Sequence, residues 1–399
     1  MRRINRQLLP AGKACILEFR CARLRWLRGT SLASAISGHF ADSLSGQALG
    51  APPDTFLTRP GLPARIGVEM KRREFIGLVG AAAVVWPVAA GAQQAPKIAR
   101  IGVLMGIGEK DPEAGPRVEA LEQGFRELGW IKGQNLLLDY RWTAGDVDRA
   151  QRFAKEIVEL KPDLIVVHST PAVKALRQLT TTIPMVFVLI ADPIGSGFVQ
   201  NLSHPGGNIT GFMNVDSPMT SKWLELIVEI APNTRQVALI YDPNTAPFYQ
   251  DFLRTFDTTA PKFNVRGIAT PVTDADGIER AIKELGQLPD AALFVLPDVF
   301  VQVHRTLIIK LAEQYRVPAI YPYRFFPTSG ELLSYGIDTV IVFRQAAGYA
   351  DKILKGATPN DLPVQAPLTF KLTVNLKAAH AIGLTIPESF LLRADEVIE

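Results

Sequence analysis

From residue 98 onward, short apolar runs alternate with stretches whose apolar residues recur every three to four positions. The runs at 98–105 (IARIGVLM), 136–142, 164–167 and 185–190 (MVFVLI) have the length of a strand and are too short for a typical helix. Between them, Val118, Leu121, Phe125 and Leu128 predict a helix over 117–128 that Gly129 stops. Asp146 caps a second helix with Phe153, Ile157 and Leu160 on one face, and a third runs over 172–179. Four strand–helix units with short connections predict parallel strands and right-handed crossovers. A second series follows. It has helices at 221–230 (Trp223, Leu224, Ile227 and Val228 inward), 248–256, 276–285, 307–315 and 341–354, and strands at 237–241, 264–269, 291–296, 319–321 and 332–335. The chain then crosses back through Pro359, Pro363 and Pro367 to a strand at 370–374 and a short terminal helix. The reading is α/β with two lobes, 93–212 and 213–324, each completed by part of 325–399. Two similar halves joined by more than one crossing are what a hinged cleft needs.

The stretch 182–211 organises the rest. Its apolar run is broken by Ala191-Asp192-Pro193, which sets a carboxylate at the carboxyl end of a buried strand, where open α/β sheets bind ligands. A turn cluster, His204-Pro205-Gly206-Gly207-Asn208, then leads towards the second lobe.

The formal net charge of +4 hides an asymmetry: residues 1–92 hold 13 Lys and Arg against 5 Asp and Glu, whereas residues 93–399 hold 30 against 34. The folded part is mildly acidic and lacks the basic footprint of a nucleic-acid binder. Both cysteines, Cys15 and Cys21, lie in the basic leader, so the remainder has no disulfide, zinc site or thiol nucleophile. Residues 1–69 show no sustained period and read as an upstream extension rather than a targeting or nucleic-acid arm, because a complete export signal begins at Met70. That signal, 70–92, has a charged start (Met70-Lys71-Arg72-Arg73), a short apolar run and small residues at Ala90 and Ala92. The run is shorter than a membrane span and is interrupted by Pro87. Twin-arginine and general secretory export both fit. The expected location is the periplasm.

No nucleophile elbow, phosphate-binding P-loop or paired-histidine zinc motif occurs, and the five histidines are scattered. Gly106-Ile107-Gly108 lacks the third glycine of a dinucleotide fingerprint, where Asp111 stands. The sequence predicts no catalytic residue, metal or cofactor. Polar and aromatic groups gather instead at strand tips: Gly106, His168, Ser169, Thr170 and Asp192 in the first lobe, and Asp242, Asn244, Asp298, Tyr321, Tyr323, Tyr335 and Asp338 in the second. Ser169 and Thr170 open a helix, where free N–H groups attract an anion such as a ligand carboxylate; the plainer role is an N-cap. Asp192 and Asp298 suit an ammonium group or a simple Asx turn. Tyr321, Tyr323 and Tyr335 could stack on an apolar ligand or pack the lobes together. His168 reads as a hydrogen-bonding wall residue, and Asn244 as a group that reaches across the cleft or caps the next helix.

Five segments resemble the ABC-transporter substrate-binding family of bacterial periplasmic proteins, which includes tryptophan/tyrosine-type members. They are TTIPMVF (181–187), ADPIGSG (191–197), HPGGNITG (204–211), DKILKGATPNDLPV (351–364) and NLKAAHAIGLTIPESFLLRADEVIE (375–399). The resemblance covers about 70–399. It implies a type I periplasmic-binding fold: two Rossmann-like lobes with parallel sheets, a hinge, and a small ligand in the cleft. It further implies a solute-binding subunit that delivers an amino acid or related carboxylate to an ABC permease; a monomer suits such a hinged binder. His168 departs from the small residue common there. A ligand-sensing regulator would need a helix-turn-helix in the leader, which lacks that pattern. An enzyme would need a nucleophile–base pair, and none is evident.

Overall fold

The computed structural model describes residues 98–324 and 330–399. The expected extension (1–69) and signal peptide (70–92) lie outside the described residues. The first sheet holds β1 (Ala99–Met105), β2 (Leu136–Trp142), β3 (Leu164–His168), β4 (Met185–Ile190) and β5 (Ile209–Met213) in the order β2-β1-β3-β4-β5, every neighbouring pair parallel. β3, β4 and β5 are buried at every position, which is why 164–167 and 185–190 read as unbroken apolar runs and not as alternation. Helices α1 (Ala114–Glu127), α2 (Val147–Glu159) and α3 (Thr170–Leu179) make the crossovers. Asp146 caps α2, its side chain accepting from the Arg149 N–H at 2.8 Å.

The chain next builds a second sheet from α4 (Met219–Ile230), β6 (Gln236–Tyr241), α5 (Tyr249–Thr259), β7 (Arg266–Pro271), α6 (Ala275–Leu285), β8 (Ala291–Val295), α7 (Val299–Val303), α8 (Arg305–Gln314), β9 (Ala319–Tyr323) and β10 (Leu333–Ile337). α9 (Thr339–Leu354) then returns to the first lobe and lies along α1. The two helices approach closely at Gly124, where a Cβ would stand 2.6 Å from the Arg344 carbonyl oxygen. The chain crosses a third time to β11 (Lys371–Asn375), α10 (Leu376–Ala381), α11 (Glu388–Leu391) and β12 (Glu396–Ile398). The second sheet runs β12-β11-β10-β9-β8-β6-β7. The crossing strands are tied to each other: Gln365 donates its N–H to the Gly211 carbonyl at 2.9 Å and accepts from the Met213 N–H at 3.0 Å.

Three features differ from the expectation. β11 is antiparallel to β10, because the chain enters it from the first lobe without a crossover helix of its own. α7 is an additional helix: the sequence pattern places no element between 296 and 307, whereas Asp298 caps a five-residue helix there. β7 begins two residues later than expected, after a short 3-10 turn at Ala260–Phe263 closed by Asn264 at φ +55°.

Trp223 anchors the second lobe. It is fully buried, its ring lies 4.9 Å from that of Phe294, and its indole N–H donates to the Tyr335 carbonyl at 2.7 Å. Trp223→Phe keeps most of the apolar volume but strands that carbonyl. The expected loss is about 1–3 kcal/mol of unfolding free energy in urea titration; a change below about 0.5 kcal/mol would show that the bond does not contribute.

Candidate functional site

The carboxyl ends of both sheets meet between the lobes. After β1, Gly106 donates its N–H to His168 Nδ1 at 3.1 Å, while its carbonyl accepts from the Thr143 hydroxyl at 3.1 Å and the Gly145 N–H at 2.7 Å. An imidazole nitrogen that accepts must be unprotonated, so His168 is neutral with its proton on Nε2. Burial, with the nearby Arg117 charge, holds the His168 pKa well below the usual histidine range. Ser169 follows in a strained conformation (φ +92°), and its buried hydroxyl has no hydrogen-bond partner; it does not cap α3. A Cβ on residue 106 would stand 2.7 Å from Ser169 Oγ, so only glycine fits against that serine. Leu189 (φ +59°) and Asp192 (φ +40°) share the left-handed region at the end of β4. Non-glycine strain of this kind gathers where a fold holds groups for use.

The second lobe reaches the first through the corner between α7 and α8. Arg305 forms a two-pronged ion pair with Asp111, Nη1 to Oδ2 at 2.9 Å and Nη2 to Oδ1 at 2.8 Å, with side chains only 7% and 10% exposed. Beside it Arg117 on α1 is completely buried. Its Nη2 meets Glu113 Oε2 at 3.3 Å, and Gln302, with its amide oxygen turned inward, accepts from both terminal nitrogens at 3.1 and 2.7 Å. Arg117 Nε has no partner. The rings of Phe343 and His168 are 5.7 Å apart, and the guanidinium lies 5.8 Å from the Phe343 centroid. Sequence reasoning missed Asp111, Glu113, Arg117, Gln302 and Arg305. The signal for Arg117 was present: it lies at i−4 and i−8 from Leu121 and Phe125, and these three, not Val118 and Leu128, define the buried stripe of α1.

The remaining candidates separate into groups. Asp298 accepts from the N–H of Asp242 at 3.0 Å and of Phe300 at 3.1 Å and from the Thr245 hydroxyl, joining the tips of β6 and β8. Burial nevertheless pushes its pKa up to about 7. Tyr323 is buried with its hydroxyl against Asn214 Nδ2, at the first crossing. Asn244 is exposed and lines an inter-lobe cavity of about 470 Å³ with Ala144, Asp146, Phe300, Val303 and His304. Thr170 is buried at the start of α3. Asp192 accepts from the Gly195 N–H at 2.8 Å in an Asx turn, and Asp338 caps α9 through the Val340 N–H at 3.0 Å. Tyr321 lies in the core of the second lobe, and Tyr335 stacks on Phe370 at 5.6 Å. The structure thus brings Gly106, His168, Ser169 and Thr170 together on one wall, and places Asp298 and Asn244 on the other. Asp192 and Asp338 sit at crossings, and Tyr321 and Tyr335 pack inside the second lobe. Among the described residues, no group of His, Cys, Asp and Glu is arranged to hold a metal ion, and no helix is long and apolar enough to cross a membrane.

The family model for ABC transporter substrate binding proteins matches residues 110–398. The chain belongs to that family. Its fold is the two-lobed type I periplasmic-binding fold, with sheets that are mostly parallel. A tyrosine-binding protein of Clostridioides difficile is 26% identical over 293 residues, 70% of this chain and 82% of that one. A conserved domain protein from Vibrio cholerae superposes with a TM-score of 0.70 at 29% identity, covering 75% of this chain and all of the other. A structure from Streptococcus pneumoniae in complex with L-Trp gives 0.68 at 27% identity, covering 75% and 99%.

The raised Asp298 pKa fixes a sign for pH dependence. Unfolded, the group titrates near about 4, so between there and about 7 the folded state holds the extra proton. Its contribution to stability is full below about pH 4 and is lost as pH rises through 7. Melting temperatures from pH 4 to 8 should show this fall in the wild type and a shallower one in Asp298→Asn. Equal slopes would show that Asp298 is ionised throughout.

Proposed function

We propose that this protein is the periplasmic solute-binding subunit of an ABC importer, and that it captures an amino acid, of the aromatic class its relatives bind, by closing two lobes around it. The observation that carries the reading is the wall pair at the cleft. A neutral His168, an unpartnered Ser169 hydroxyl and a buried guanidinium face a corner of the second lobe, beside a cavity of about 470 Å³ with Phe300 and Val303 among its lining. That volume suits a small solute, and its lining joins apolar groups (Val147, Phe300, Val303) to polar ones (Asp146, Asp242, Asn244, Thr273, His304), as a ligand with an apolar body and polar ends requires. The L-Trp-bound streptococcal structure and the clostridial tyrosine-binding protein support the same class. The chain binds and releases without turnover, acts as a monomer, and presents its closed form to a membrane permease.

Thermal unfolding of the purified protein against amino acids, nucleosides and sugars tests this. A ligand at 100 times its Kd should add about 2.7 kcal/mol to the native state. L-Tryptophan or L-tyrosine should give the largest shift. A shift from sugars or nucleosides alone would contradict the proposal.

A further inference from the structure

We propose that Arg117, with Ser169 at the start of α3, is the receptor for the ligand's carboxylate, and that Gln302 of the second lobe closes over it. This inference rests on the amino-acid reading above and assigns the residues that select the charged end. A guanidinium has five N–H donors and cannot shed its charge at physiological pH. In the fully buried Arg117 the donors are poorly served. The single carboxylate contact, to Glu113, is 3.3 Å, longer than the roughly 2.7–2.9 Å of a charge-assisted bond. The Gln302 amide carries no charge, and Nε bonds to nothing. Burial, with the Arg305 charge nearby, pulls the Arg117 pKa down, the cost of a cation whose compensation is incomplete. A second donor is stranded nearby. The Ser169 hydroxyl is 5% exposed, has no partner, and is held by strained backbone at the N-terminus of a ten-residue helix. Arg117 and His168 both pack on Phe343, and Ser169 is the next residue after His168, at the tip of β3. Gly106, with no Cβ, leaves room against Ser169. Asp111, Glu113, Arg117 and Arg305 sum to zero charge, so a zwitterionic ligand enters without leaving a net charge behind.

The test compares each free amino acid with its amide, L-tryptophan with L-tryptophanamide and L-tyrosine with L-tyrosinamide, by calorimetric titration. Wild-type protein should prefer the acid by about 100-fold, the scale of hydrogen bonds to a charged group. Arg117→Gln should lose most of that preference by weakening the acid while changing the amide less than about threefold. Arg117→Lys should restore part of it, and Ser169→Ala should weaken the acid alone by several-fold. If Arg117→Gln fails to fold, the Lys and Ala variants carry the test. Wild-type protein that binds acid and amide equally would uphold the amino-acid reading and overturn the carboxylate site. Variants that lose both probes in parallel, or keep the full preference, would also overturn it. Wild-type protein that binds neither probe overturns both proposals.

Discussion

The arrangement depends on charges buried where the lobes meet. Taking a carboxylate and a guanidinium out of water costs several kcal/mol for each ion, and only a close, well-aligned partner repays it. Asp111 and Arg305 meet with both oxygens and both terminal nitrogens, and they come from opposite lobes, 194 residues apart in sequence. At an effective dielectric of about 20, such a pair is worth about 4 kcal/mol at 4 Å separation. Neither lobe can bury its own half alone. The interaction therefore exists only when the lobes are together, which makes it a term in the closing equilibrium rather than in the folding of either lobe. A ligand shifts that equilibrium only by the difference in its affinity for the two states. Groups that the second lobe completes, such as Arg117 beneath Gln302, are where that difference can arise.

The scaffold delivers the charges to that point. α1 carries Arg117, with Glu113 at its start, and α9 packs against it through Phe343, Ala346 and Ala347, so the return crossing holds Arg117 in place. α7 and α8 supply Gln302 and Arg305 from a corner fixed by the Asp298 cap. The crossings themselves are hydrogen-bonded between Gly211, Met213 and Gln365. A hinge built from paired extended segments can rotate about its length while keeping the two lobes in register, the kind of motion that absorbs domain closure in a few residues.

Much of this was legible in the chain because burial on both faces writes an uninterrupted signal. Met185–Ile190 stands where its apolar run put it, and Asp146 caps the helix it was expected to cap. Gly106, His168 and Ser169 stand at the ends of β1 and β3 where they were expected, since those ends follow from local pattern alone. What the chain concealed were partners from the other lobe. Asp111, Gln302 and Arg305 look like ordinary polar residues until the two sheets face each other. Arg117 was visible as a charge at i−4 and i−8 from Leu121 and Phe125, but the expected stripe of Val118, Leu121, Phe125 and Leu128 began one residue later and left it outside; Leu128 is exposed. The strand expected at 370–374 stands as β11, but its direction was hidden for a topological reason, because a five-residue strand pattern carries no direction.

The most direct measurement is the distance between spin labels placed on exposed positions of α2 and α6, one in each lobe, read by pulsed resonance with and without saturating L-tryptophan. The account gives a single short distance with ligand, and a ligand-free distribution that moves to longer distances in Asp111→Asn, where the inter-lobe pair has lost its carboxylate. One unchanged distribution in wild type and variant, with or without ligand, would mean that the lobes do not move and that the buried pair is only part of a rigid core.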